Sequence, residues 1–199
     1  MPVRVSRDQA RQNRERVVAA SSALFREKGV DGVGISDLMS EAGLTHGGFY
    51  KQFSSKAELV EEACSRALED TMAFWDSYLE RAVQPRAAFV RAYLSHQHRD
   101  RVGEGCLLPA LAAEARREPQ AIRSVFTRAI QSYADRLDQP VEARTDQSRA
   151  KALSNLAEMV GAILLARVAD DPKLSKDILA AASAHILDTR PGAATSGEN

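Results

Sequence analysis

Apolar positions recur every three or four residues along almost the whole chain, and no stretch of strand length alternates with period two. This pattern predicts an all-α fold. A first helix is expected from about Asp8 to Lys28, with Val17, Val18, Leu24 and Phe25 on its core side and arginines on its exposed face. Gly29 sits where a left-handed cap would end it. Ile35, Leu38, Met39 and Ala42 stand at i, i+3, i+4 and i+7, the apolar stripe of a short second helix, and Gly43 follows as the residue that turns the chain. Thr45 is the expected N-cap of a third helix ending near Phe53, with Leu44 placed to pack on Phe49 as a hydrophobic staple. Ser55-Lys56-Ala57-Glu58 reads as a capping box, Ser55 accepting from the Glu58 amide and the Glu58 carboxylate returning to the Ser55 amide. It opens a long fourth helix whose core face is Leu59, Val60, Ala63 and Ala67.

Further along, helices are expected over about 85–96 and 107–117, separated by an irregular stretch from Arg99 to Gly105. Ile122, Val125, Phe126, Ala129, Ile130, Tyr133 and Leu137 form an unbroken stripe that stops at Gln139-Pro140. Two more helices are expected over 146–168 and 173–188. The first carries Leu153, Leu156, Ala157, Val160 and Leu164 on one face, and the second Ile178, Leu179, Ala182 and Ile186. Residues 189–199 are small, polar and contain Gly and Pro, so a disordered tail is expected.

With 44% hydrophobic residues in 199, the chain can bury a core of one or two small domains. No apolar run approaches the roughly 18 residues of a bilayer span, and the N-terminus has no hydrophobic stretch of signal-peptide type, so a cytoplasmic protein without membrane contact is expected. Cys64 and Cys106 match no metal spacing and are expected as free thiols. The formal net charge is zero, but the first 56 residues hold nine Lys/Arg against six Asp/Glu, so their net +3 is balanced by −3 in the rest. A basic end joined to a mildly acidic body suits a module that meets a polyanion.

A short helix, a glycine turn and a second short helix two residues later is the spacing of a DNA-binding helix-turn-helix, although helical hairpins of purely structural purpose share it. The residues themselves narrow the choice. Phe25-Arg-Glu-Lys-Gly29, Gly32, Ile35-Ser-Asp-Leu38, Glu41-Ala-Gly-Leu-Thr-His-Gly-Gly-Phe-Tyr-Lys-Gln-Phe53 and Ser55-Lys-Ala-Glu-Leu59 resemble, without a gap over about residues 11–62, the N-terminal domain of the tetracycline-repressor (TetR) family. Gly34 and Gly48 depart from the family pattern, which has Ser or Thr at the first position and often at the second. The resemblance implies a helix-turn-helix domain over 1–55 with a flexible arm at 1–7, and a helical effector-binding and dimerisation domain over 56–188. It further implies a repressor that binds double-stranded DNA at a palindromic operator as a homodimer, needs no cofactor and answers to a small-molecule effector.

Within that frame, Thr45 and His46 are candidates for reading base edges from the helix start. Gly47 and Gly48 each cost about 1 kcal/mol of helix propensity relative to Ala, which a groove-facing backbone would justify and which a tight neighbouring helix would justify equally. Tyr50, Lys51 and Lys56 resemble the family's phosphate contacts; for the lysines, a solvated face is the alternative. Phe49 and Phe53 are assigned to the core, and Arg4 and Arg7 to an arm within reach of phosphates or the minor groove. In the body, Trp75, Tyr78, Phe89, Tyr93, Cys106, Leu107, Phe126 and Met159 are candidate walls of an effector pocket, with His96 as a polar contact, so a mostly apolar effector is expected. Plain core packing is the alternative for each. Cys106 also stands as a candidate reactive thiol; His96, His98 and Cys106 make only a weak metal pattern, and none is expected. The faces of the last two helices suit a four-helix dimer interface, or else only the subunit's own core. An enzyme finds no support in GxSxG, P-loop, GxGxxG, HExxH or paired-carboxylate motifs. An α-helical adaptor that binds protein through the same two helices stays open.

Overall fold

A computed structural model describes residues 7–138 and 145–188. They form helices α1 (Arg7–Lys28), α2 (Ile35–Glu41), a 3-10 helix (His46–Lys51), α3 (Lys56–Glu80), α4 (Pro85–Tyr93), α5 (His96–Asp100), a second 3-10 helix (Val102–Glu104), α6 (Leu107–Ala115), α7 (Gln120–Leu137), α8 (Asp146–Val168) and α9 (Pro172–Ile186). No strand occurs among the described residues, and none of their helices is long and apolar enough to cross a membrane. The fold is all-α, as the periodicity predicts. The Gln139-Pro140 break, Arg4 and the tail over 189–199 lie outside the described residues.

The helix expected over 85–96 stops at Tyr93, because the Ser95 hydroxyl donates to the Ala92 carbonyl at 2.8 Å and accepts from the His98 amide at 3.2 Å, restarting the chain as α5. That restart makes the expected irregular stretch begin only after Asp100.

The chain packs as two compact units, one ending at Asp76 and resuming over Arg101–Ser132, the other holding Ser77–Asp100 and the chain from Tyr133 onward. In the first unit α1 lies against α2, the Val102–Glu104 helix and α6. Val17 and Phe25 are fully buried and Val18 nearly so. Arg26 donates to the Gly103 carbonyl, and the Glu114 carboxylate of α6 accepts the Val30 amide at 2.8 Å just beyond the end of α1. Backbone meets backbone here, since a Cβ on Gly32 would fall 2.1 Å from the Lys28 carbonyl oxygen.

In the second unit α8 packs along α9, and two arginines pin α5 to them. Arg167 donates to the carbonyls of Arg99 at 2.9 Å and His98 at 3.2 Å, while Arg99 donates to Ser175 Oγ at 2.7 Å. Phe89, Tyr93 and Tyr133 form an aromatic core with ring centroids 5.9–6.1 Å apart. The buried face of α8 is Ala152, Asn155, Leu156, Met159, Ala162, Ile163 and Ala166. Of the face expected from the sequence, only Leu156 is buried, whereas Leu153, Ala157 and Leu164 are exposed. On α7 the expected stripe holds except at Ile130, which is exposed while Ala134 is buried.

Replacing Gly32 with Ala should cost about 1–3 kcal/mol, as overpacking against fixed atoms does, because the obstructing atom is a main-chain carbonyl with no rotamer to escape into. Urea unfolding of G32A checks this, and an unchanged midpoint would contradict the packing described.

Candidate nucleic-acid interface

Assembly of the helix-turn-helix starts at Gly34, which has no side chain to cap α2. The cap comes from the other direction, with Asp37 Oδ2 accepting the Gly34 amide at 3.2 Å. Leu38 and Met39 seat α2 in the core. The helix closes in a Schellman arrangement, the Leu44 amide donating to the Met39 carbonyl at 2.8 Å and the Gly43 amide to the Ser40 carbonyl at 2.9 Å. Gly43 takes φ +69 to allow it, which is the turn its place in the sequence predicts.

The segment expected as a third α-helix is instead the 3-10 helix His46–Lys51, six residues long. Two adjacent glycines remove the propensity that would favour the wider coil, and six residues are too few to recover it through cooperativity. Thr45 holds the N-cap position, but its hydroxyl makes no capping bond. Phe49 and Phe53 are buried and stacked at 5.4 Å, in the core role expected of them. The opposite side of this short helix is open: Thr45, His46, Gly47, Tyr50 and Lys51 are exposed, Tyr50 to 66%, and Gly48 is half-buried. The two glycines have different surroundings. A Cβ on Gly47 would meet nothing within 4 Å, whereas one on Gly48 would touch Met39 Cε at 3.4 Å. Packing within the chain therefore gives no reason for a small residue at 47, and at 48 only a contact with the mobile end of a methionine.

What holds this strip in place was not legible in the motif. Arg14 does not sit on a solvated face of α1. Its guanidinium donates to the Gln52 carbonyl at the end of the short helix, to Glu58 Oε1 at 2.7 Å and to both oxygens of Glu62, and it lies 4.1 Å from the Phe53 ring centroid. Glu62 first, then Glu58, hold the Arg14 pKa above its ordinary value against the opposing effect of burial. Glu58 is drawn down to about 2, mainly by the Ser54 hydroxyl and then by Arg14. The capping box also differs from expectation. Ser55 Oγ accepts the Glu58 amide at 3.1 Å as predicted, but the Glu58 carboxylate returns to the amide and hydroxyl of Ser54, at 2.7 and 2.6 Å, because Arg14 draws its other oxygen toward α1. Lys56 points into the protein, its Nζ donating to the carbonyls of Val30 at 2.6 Å and Val33 at 2.7 Å.

The candidate effector residues divide between the two units. Trp75, Cys106, Leu107 and Phe126 are buried in the first; Phe89, Tyr93 and Met159 are buried in the second, where Tyr78 and His96 are exposed. Cys106 caps α6, its Sγ accepting the Leu108 amide at 3.4 Å, and burial pushes the other thiol, Cys64, up to about 12. His98, which the sequence offered only as part of a weak metal pattern, packs on Tyr93 at 4.4 Å, bonds the Tyr93 carbonyl through Nδ1 at 2.7 Å and is driven down to about 4 by burial.

Known proteins place these features in a common frame. The family model described as "Bacterial regulatory proteins, tetR family" matches residues 17–63, and that of the "Tetracyclin repressor-like, C-terminal domain" matches residues 85–182. An uncharacterized HTH-type transcriptional regulator of Lactococcus lactis subsp. lactis is 23% identical over 173 residues, covering 81% of this chain and 86% of that protein. The crystal structure of a TetR transcriptional regulator from Chloroflexus aurantiacus is 27% identical with a TM-score of 0.75, over 91% of this chain and 95% of that one. The reduced form of E. coli NemR superposes with a TM-score of 0.74 at 22% identity, over 92% and 99% of the two chains, a likeness of fold.

The folded-state pKa of Glu58 lies below its unfolded value, so the stability that its bonds to Ser54 and then Arg14 contribute is complete above the ordinary glutamate range and fades as the pH falls from about 4.5 to about 2. Glu58→Gln should flatten the dependence of melting temperature on pH across that window. Identical slopes for the two proteins would show that this carboxylate is not the titrating element.

Proposed function

Because the chain belongs to the TetR family of bacterial transcriptional regulators, we propose that it is a homodimeric repressor that binds a palindromic operator and is released by a small, mostly apolar effector. One observation carries this reading: the outer side of the strip from Thr45 to Lys51 is exposed, free of packing demands at Gly47, and held from beneath by buried aromatics and the Arg14 network. Thr45 and His46 stand at the start of the short helix, where side chains meet base edges. Gly47 and Gly48 let the backbone approach the groove, and Tyr50 and Lys51 face the phosphates without choosing sequence. Lys56 stands apart, since its ammonium already faces two carbonyls.

Dimerisation is supported by α8. Leu153, Ala157, Leu164, Leu165 and Val168 leave an apolar stripe in water, Val168 at 82% exposure, and a Cβ on Gly161 would meet nothing within 4 Å. Ala180 and Ala181 are exposed on the adjacent α9. A stripe of this kind suits a self-complementary two-fold contact, which is the symmetry an inverted repeat requires. An apolar effector is the reading that the candidates of each unit support, Trp75, Cys106, Leu107 and Phe126 in the first, and Tyr78, Phe89, Tyr93 and Met159 in the second, where His96 offers a polar contact at the surface. Its affinity must differ between the DNA-competent conformation and another, since equal binding to both would change nothing.

Selection of bound duplexes from a random pool tests the reading. The expected product is an inverted repeat, with His46→Ala altering base preference and Tyr50→Phe weakening all sequences alike. Gly47→Ala should melt no lower than the parent, since Ala gains about 1 kcal/mol of helix propensity over Gly, yet bind the selected duplex less tightly. Failure of the folded protein to enrich any sequence would contradict the proposal, and tight duplex binding by G47A would contradict the role given to that glycine.

A further inference from the structure

The stretch from Gly29 to Gly34 joins α1 to α2, and its path sets where α2 begins. Val30 and Val33 bury their side chains there, at 7% and 2% exposure, so the main-chain groups beside them need partners inside the protein. Two charged side chains from outside the stretch supply them. Lys56, the first residue of α3, donates to the Val30 and Val33 carbonyls at 2.6 and 2.7 Å, and Glu114 of α6 accepts the Val30 amide at 2.8 Å. Val30 is thus held at its carbonyl and its amide by charges of opposite sign. Nothing in α3 itself asks for this lysine, since a cation at a helix N-terminus has the wrong sign for the helix dipole.

We infer that Lys56 and Glu114 are a pair of positioning residues for the DNA-facing strip: they fix the turn between α1 and α2, and through it the α2 brace beneath His46–Lys51, and Lys56 does this instead of holding a phosphate. The inference rests on the DNA-binding role proposed above. It differs from what the family resemblance implies for Lys56, and salt separates the two roles. A lysine that neutralises a phosphate releases counterions, so its loss lowers the slope of log affinity against log salt by about 0.9. A lysine that only orders the protein changes affinity and leaves the slope alone.

The test compares wild type with Lys51→Ala, Lys56→Ala, Lys56→Arg and Glu114→Gln, using the selected duplex over a salt series and amide exchange of residues 29–34 in the free protein. Glu114→Gln keeps shape and loses only charge, so it decides the matter if Lys56→Ala does not fold. Both K56A and E114Q should speed exchange across the turn and weaken duplex binding roughly tenfold at every salt concentration, the worth of a charged hydrogen bond. Neither should change the slope, K56R should restore affinity, and K51A should lower the slope by about 0.9. A K56A slope reduced like that of K51A would overturn the inference, as would turn exchange and affinity unchanged from wild type. Absence of duplex binding by the wild type would sink the DNA reading instead, while unchanged turn exchange sinks the positioning pair alone, so the two failures are distinguishable.

Discussion

The exposed strip depends on one guanidinium that is satisfied from several sides. Arg14 reaches from α1 to the carbonyl that ends the His46–Lys51 helix, to two carboxylates at the start of α3, and across the face of Phe53. A 3-10 helix of six residues containing two glycines has little tendency to hold its own shape. Its geometry is therefore borrowed: Phe49 and Phe53 anchor it from below, and Arg14 captures the carbonyl at its far end. Because the Arg14 side chain is 31% exposed, solvent screens part of each pair. Its value lies in direction, since a planar fork with several fixed donors ties three segments in one orientation.

Much of this region was legible because its signals are local. Apolar spacing in α2, the φ that Gly43 must adopt, and the aromatic pair at 49 and 53 are decided within a few residues of chain. The Arg14 network was not, since its carboxylates lie 44 and 48 residues away and helix periodicity placed Arg14 only on an outer face. The same long-range pull moved the Glu58 carboxylate from Ser55 to Ser54. The coil type of the short helix was missed for a different reason. A Thr cap and a helical spacing do not separate 3-10 from α, and the glycines that decide between them were read for their approach to DNA.

In the body, periodicity found the helices and was weaker on their faces. On α8 apolar residues surround much of the helix, so two stripes compete for the interior, and the one built on Met159 and Ile163 is buried in the chain. The stripe from Leu153 to Val168 is left outside, so of the two roles its spacing allowed, dimer interface or the subunit's own core, the first is the one proposed for it. The histidines show the same limit. His96 and His98 are two residues apart, and the break at Ser95 decides that the second turns inward and loses its proton affinity to burial.

Hydrogen exchange along the chain, with and without the selected duplex, tests most directly the claim that this short braced helix is the surface that meets DNA. The account predicts slowed exchange over residues 45–53 and the adjoining end of α2, with the outer stripe of α8 unchanged. Protection elsewhere, with 45–53 exchanging as in the free protein, would contradict it.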